Sequence, residues 1–393
     1  MKIDRHLGIF LSAMIPMSCF SENLAVNKRT AIKYQQKNLF DSTENLYAKE
    51  DVNKWSWKIT YGFFISIGFA AFAVCVANNF YQQKNKPQNN PSKPVNDRSA
   101  LKEIFQDTVR MVEERRKNDI DYASSLHSSR IYCGADCSIK QKGDIELTNE
   151  NIQRFEKNRE GKIFFTHCPS ISGTMRVFEH VFRSENEKMK EFAVREFKKT
   201  AILNFANFTK AGGGVENGAQ AQEEYLCRIT DLFSRLILLN DKFYKINEDS
   251  GLNTDSRIIY SSQVCQLKAD DGELLDKPFG IEFDVITAAA PNNSRHNINE
   301  EELKQTIYNV LKLIIIAAIK EECTTIVLGA FGCGVFRNPP KLVGQLFYEI
   351  LIKEGYANFF DRVIFNIFSA PGRSTENYDS ILKSFDGYTV TVV

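Results

Sequence analysis

Apolar residues are spread unevenly along the chain. Residues 7–20 (LGIFLSAMIPMSCF) and 59–80 (ITYGFFISIGFAAFAVCVANNF) form two apolar blocks near the N-terminus. From about residue 100 the pattern changes. Leu101, Ile104, Phe105, Val109 and Val112 recur at helical spacing, and short β-rich runs then alternate with helical stretches. Strands are expected at Lys162–Thr166, Ala201–Ala206, Arg257–Ser261, Ile281–Ala288, Thr324–Leu328, Arg362–Phe368 and Tyr388–Val393. Helices are expected at about 173–198, 222–240, 299–322 and 340–354. Strands alternating with helices predict an α/β layered domain. No internal repeat is visible.

The two apolar blocks differ in length. Residues 7–20 suit either a signal-peptide core or a buried or interfacial segment. Between Lys58 and Lys84 no side chain is charged. Nineteen residues, Ile59 to Ala77, are predominantly apolar, enough to cross a hydrocarbon core of ~30 Å. Trp55, Trp57 and Tyr61 at one end, and Phe80 and Tyr81 at the other, suit interfacial aromatic belts. A transmembrane helix is therefore expected at 59–80, with a lipid bilayer as partner. The polar segment 81–99, with three prolines, reads as a linker and argues against a core helix. The expected organisation is an N-terminal region 1–58, the span, the linker, and a globular domain 100–393. A slight excess of Lys and Arg after the span favours a cytoplasmic C-terminal side.

Charge narrows the ligand chemistry. The 393 residues hold 50 Lys and Arg against 49 Asp and Glu, for a net charge of +1. No basic field points to nucleic acid, and no sequence-specific nucleic-acid binding is expected. An anionic ligand must be held by local geometry. Nine cysteines, odd in number and irregularly spaced, do not form a disulfide framework and suit a reducing compartment. Cys133 and Cys137, near His127, are two ligands short of a zinc site and read as ordinary thiols. His167, His180 and His296 are scattered and read as structural or surface residues.

Two glycine loops carry the chemistry. In Leu203–Arg228 a strand ends at Asn204–Asn207, and a loop follows with Gly212, Gly213 and Gly214. After seven residues come Gln222, Glu223 and Glu224, opening an amphipathic helix. Three glycines permit positive φ and leave no Cβ to obstruct a ligand. Asn204 and Asn207 set amides beside that loop, suited to ribose hydroxyls. The second loop, Ile326–Pro340 (IVLGAFGCGVFRNPP), runs from a buried strand through Gly-x-x-Gly-x-Gly to a proline-led helix. Strand, glycine turn and helix N-terminus cradle phosphates. No Gly-Lys-Ser/Thr follows, which excludes a P-loop, and the downstream acidic ribose ligand of a dinucleotide fingerprint is missing.

The Gly-Gly-Gly, seven residues, Gln-Glu-Glu pattern resembles the signature of poly(ADP-ribose) glycohydrolases. FDVITAAAP at 283–291, VLGAFGCGVFRNPP at 327–340 and FDRVIFNIF at 360–368 resemble segments of the microbial type of that family. The resemblance covers roughly 100–393. It implies a macrodomain, a three-layer α/β/α fold with a mixed sheet, that binds ADP-ribose or poly(ADP-ribose) attached to proteins. By motif, Glu224 would be the catalytic acid and Glu223 would bind the ribose next to the scissile bond. Asn204 and Asn207 would line the distal ribose, and Gly212, Gly213, Gly214 and Gln222 would complete that side. Gly332, Cys333, Gly334, Val335 and Phe336 would wrap the diphosphate, with Phe336 against the ribose and Phe368 bordering the adenine. Ala211 departs from the proline that often precedes the glycines, which is expected to loosen the loop. The N-terminal part lies outside the family pattern.

Cleaving a ribose O-glycosidic bond passes through an oxocarbenium-like state, and the leaving hydroxyl needs a proton. Burial and a like-charged neighbour raise a carboxyl pKa, whereas a helix N-terminus favours the anion. Successive helical residues point about 100° apart, so the two glutamates cannot share one role. No metal ligand cluster appears, and the reaction needs no cofactor. A hydrolase of single ADP-ribose units and a non-enzymatic ADP-ribose reader remain the alternatives.

Overall fold

The computed structural model describes residues 97–183, 195–250, 255–294, 298–370 and 372–393. The expected signal-like segment, the transmembrane helix at 59–80, the linker up to residue 96 and His296 lie outside the described residues; the last two linker positions, Arg98 and Ser99, are instead helical, because Asp97 caps a helix there. Among the described residues no helix is long and apolar enough to cross a membrane.

Described elements follow as α1 (Arg98–Asn118), α2 (Ile120–Ser125), β1 (Arg130–Cys133), β2 (Ile145–Glu146), β3 (Lys162–Thr166) and α3 (Ser170–Arg183). Next come β4 (Thr200–Phe205), α4 (Gln222–Ile229), α5 (Leu232–Ile237), α6 (Lys245–Ser250), β5 (Arg257–Gln266) and β6 (Ile281–Ala288). The chain ends with α7 (Glu300–Lys320), β7 (Thr325–Leu328), α8 (Pro340–Tyr348), β8 (Arg362–Asn366), α9 (Glu376–Lys383) and β9 (Val390–Val392).

The strands form one mixed sheet in the order β2-β1-β5-β6-β4-β7-β8-β3-β9. Only β5 is antiparallel to its neighbours β1 and β6; every other pair is parallel. Parallel strands are covered on both faces, and these read as near-continuous apolar runs. Alternation distributes their side chains between two cores. Leu203, Leu328, Val363 and Phe365 join the core under α7 and α8, while Ile202, Val327 and Ile364 join the core under α3, α4 and α5. This is the expected α/β/α sandwich with a mixed sheet.

Local signals set the helix ends. Asp97 caps α1, accepting from Ser99 N (2.9 Å), and its buried face runs Leu101, Phe105, Thr108, Val112. Asn299 caps α7, accepting from Glu302 N (2.9 Å). The continuous helix expected at 222–240 is broken at Thr230, which is extended. Its cause is a buried ion pair. Asp231 binds Arg235 (3.0 Å) and also accepts from Cys265 N and Tyr122 Oη (both 3.0 Å). Arg235 donates onward to the carbonyls of Ser125, Ser262 and Gln263. These tertiary bonds outweigh helix propensity across the apolar run. The helix expected at 340–354 changes to π geometry after Tyr348. The strand expected to reach Phe368 stops at Asn366, and that expected at Tyr388–Val393 covers only Val390–Val392. The short strands β1 and β2 had no usable sequence signal.

Cys133 is buried in β1, and the Cys137 thiol faces Ile139 O (3.1 Å) and Asp255 (3.2 Å). Among the described residues no group of three or more His, Cys, Asp or Glu is placed to hold a metal ion. His167 stacks on Tyr378 with centroids 3.5 Å apart, and His180 is exposed.

Candidate active site

The carboxyl ends of β4, β7, β8 and β3 lead into the loops that line a cavity of about 750 Å³. That position is where open α/β sheets bind ligands, and the volume suits a small molecule. Its walls include Asn207 and Gly213 from the first glycine loop, and Glu223 and Glu224 from α4. The second loop contributes Gly332, Gly334, Val335 and Phe336, and Phe368 follows β8. Residues far apart in sequence thus meet as expected.

Gln222, Glu223 and Glu224 open α4 and divide three tasks. Gln222 accepts from Phe205 N (2.8 Å) and donates to Leu203 O (2.8 Å) and Ser170 Oγ (3.1 Å). Its amide is spent on stitching α4 to the end of β4 and the start of α3. It borders the cavity and clamps α4 in place. Glu223 accepts from the N–H groups of Asn207 (2.8 Å) and Gly212. Glu224 accepts from Gly214 N (2.8 Å) through Oε1, while Oε2 is buried without a partner.

The glycine triplet is thereby explained differently from its sequence reading. Gly212 and Gly214 lie behind the cavity wall and offer backbone N–H groups to the two carboxylates. Gly213 sits at φ +55°, and a Cβ there would lie 2.6 Å from Glu224 Oε1 and 3.0 Å from Glu223 Oε2. Gly213 leaves room for the protein's own acids. Nor does Ala211 loosen the loop. It is buried, and the turn is pinned by Gly213 N to Lys210 O and Val215 N to Gly212 O, both 3.1 Å.

The asparagines also differ from expectation. Asn204 is fully buried behind Glu223, with Nδ2 3.5 Å from Glu223 Oε1 and 3.2 Å from Thr287 Oγ1. It does not reach the cavity wall. Asn207 does, but its side-chain oxygen accepts from Thr209 N (2.9 Å) and Lys210 N (3.0 Å), an Asx turn that starts the glycine loop. Its backbone N–H orients Glu223.

Burial pushes the Glu223 carboxyl up to about 8; the N–H of Asn207 opposes this, and the charge of Glu224 adds to it. A proton held on Glu223 near neutral pH leaves the site one proton richer than two ordinary glutamates would.

The second loop has the opposite character. Gly334 is exposed with nothing within 4 Å of an added Cβ, and its φ is not in the left-handed region. Among the described residues the N–H groups of Gly332, Gly334, Val335 and Phe336 have no backbone acceptor. Val335 is 77% exposed and Phe368 55%, two apolar groups open to solvent at the cavity. The Cys333 thiol turns to Phe331 O (3.6 Å) and is raised to about 12 by burial; it stays off the cavity wall.

Four further wall residues were not singled out in the sequence. Ser170 and Asn366 join through Asn366 Nδ2 to Ser170 O (2.7 Å). Tyr225 Oη donates to Asp270 (2.5 Å) at the rim. Arg228 was legible only as the residue one helical turn after Glu224. Burial lowers its pKa, against the pull of Glu224, and it donates to Ala219 O.

A profile of the microbial-type PARG catalytic domain matches residues 73–269. The chain belongs to the microbial-type PARG family. The PARG match begins inside the segment expected to span a membrane and ends before the second glycine loop. Solved structures extend the likeness. A poly(ADP-ribose) glycohydrolase from Thermomonospora curvata is 23% identical, covering 73% of this chain and 100% of that one, with a TM-score of 0.58. A second structure of that protein, bound to the inhibitor ADP-HPD, gives 22% identity and a TM-score of 0.56. The enzyme from Deinococcus radiodurans in complex with ADP-ribose is 26% identical over 67% of this chain and 96% of its own, with a TM-score of 0.53. No curated protein matches the chain. As a member of the PARG family the chain is a glycosidase.

Proposed function

We propose that the chain hydrolyses ribose–ribose O-glycosidic bonds of poly(ADP-ribose), releasing ADP-ribose, with Glu224 as general acid. The observation that carries this reading is the divided environment of Glu224. Oε1 is fixed by Gly214 N–H, and Oε2 is buried, unpartnered and part of a residue on the cavity wall. A carboxyl locked on one side and free on the other is suited to pass a proton to a bound oxygen.

In this mechanism the diphosphate lies against the free N–H groups of Gly332, Gly334, Val335 and Phe336, and Phe368 borders the adenine. Glu223, oriented by Asn207 and Gly212, anchors the ribose beside the scissile bond. Glu224 protonates the leaving ribose oxygen as the C–O bond breaks. Water then adds to the oxocarbenium carbon, and its proton returns to Glu224. Glu224, left anionic as its proton passes to the leaving oxygen, stabilises the developing positive charge.

Glu224→Gln keeps shape and loses the transferable proton. Turnover of purified poly(ADP-ribose) should fall about 10²–10⁴-fold, while ADP-ribose affinity by calorimetry stays within a few-fold. Undiminished turnover in that variant would sink the mechanism. Release of ADP-ribose only from mono-ADP-ribosylated protein would make it a hydrolase of single units. Tight ADP-ribose binding with no wild-type turnover on either substrate would make it a reader.

A further inference from the structure

Asn338 closes the second glycine turn. Its N–H donates to Gly332 O (3.0 Å), so the two residues form the base of the turn. The Asn338 side chain is 1% exposed, and neither Nδ2 nor Oδ1 has a hydrogen-bond partner. A buried carboxamide unpaired at both ends gives up water and gains nothing in return. Such exceptions call for a local reason.

Its surroundings supply one. Nδ2 packs into the space that a Cβ on Gly332 would occupy, and Gly332 itself is at φ +72°. Gly332 also forms part of the cavity wall. Asn338 itself is not part of that wall and packs against the glycine that is. The same turn holds Arg337 at φ +57°, a left-handed conformation costly for a side chain with a Cβ. It also carries the N–H groups of Gly332, Gly334, Val335 and Phe336 without acceptors among the described residues. Three unsatisfied features fall within seven consecutive residues. An arrangement that satisfies them together is accessible only if the turn shifts.

We propose that Asn338 is a positioning residue for the diphosphate of ADP-ribose. An anion drawn onto the free N–H groups pulls Gly332–Phe336 inward. The Asn338 carboxamide then hydrogen-bonds the turn backbone and holds it in the bound shape. The inference rests on the reading of this turn as the diphosphate cradle.

Asn338→Leu tests it, because leucine keeps the branched four-heavy-atom skeleton of asparagine and has no polar atoms. The free variant should melt no lower than the wild type, since a buried unpaired group has been removed. Its ADP-ribose affinity should nevertheless fall about tenfold, and KM for polymer should rise with kcat little changed. An affinity within threefold of the wild type, in a folded variant, overturns the role of Asn338 alone. No ADP-ribose binding by the wild type overturns this inference together with the proposed function. If leucine lowers the melting temperature, Asn338→Ala is judged by the same affinity criterion.

Discussion

The two glycine loops look alike in sequence and do opposite things. In the first, glycine removes side chains so that backbone N–H groups reach the protein's own carboxylates. Gly214 N holds Glu224, Gly212 N reaches Glu223, and Gly213 has no room for a Cβ. In the second, Gly334 is exposed and unobstructed, and neighbouring N–H groups lack partners. One loop is a finished internal bracket. The other is an open row of donors facing a cavity. A glycine count does not distinguish them; the destination of each N–H does.

The sharpest way to break this comparison is one methyl group. Gly213→Ala puts a Cβ 2.6 Å from Glu224 Oε1 and demands φ +55° from alanine. Turnover should fall roughly 10²-fold, as expected for a reacting group displaced by about 1 Å. Stability should drop by about 1–2 kcal/mol, read from urea unfolding. Gly334→Ala is the contrast and should leave stability unchanged, since nothing lies within 4 Å of the added Cβ. Equal behaviour of the two variants would erase the distinction between the loops.

Gly334→Val probes the open loop with a bulkier group. Its backbone conformation admits valine, so the effect expected is on ligand, not on the chain. The melting temperature should barely change, since surface substitutions usually lie within about 0.5 kcal/mol. ADP-ribose should bind about tenfold more weakly by calorimetry, because a branched side chain intrudes on the diphosphate path. Unchanged affinity would remove the phosphate role from this turn.

Much of this site was legible in sequence because its chemistry is written in short, local motifs. The Gly-Gly-Gly and Gln-Glu-Glu segments and the Gly332–Phe336 turn reach one cavity because strands β4 and β7 are adjacent and parallel. Short β-rich runs alternating with helical stretches gave the layered α/β domain for the same local reason. What stayed hidden depended on partners distant in sequence. The clamp that Gln222 makes to Leu203 O and Phe205 N has no signal in the motif itself. Asn207 reads as a ribose binder until its side chain closes its own turn. The break at Thr230 follows from Tyr122, Asp231, Arg235 and Cys265 meeting in the core, which no helical periodicity encodes.

The last expected effect concerns protons in the first loop. The Glu223 carboxyl moves from an ordinary 4.5 to about 8 in the folded protein, chiefly through burial, despite the N–H groups of Asn207 and Gly212. Between those values the folded chain keeps a proton that the unfolded chain has released. Stability should therefore fall as pH rises through this window, by at most about 1.4 kcal/mol per pH unit. The contribution is largest below pH 4.5 and is lost above the folded value. Glu223→Gln is neutral at every pH and removes the slope. Urea unfolding of both proteins at several pH values from 5 to 8 cancels the other titrating groups in the difference. The stability of the wild type relative to this variant should decline steadily across that range. A difference independent of pH would mean that the loop's N–H groups outweigh burial, leaving Glu223 ionised and the bracket built for an anion.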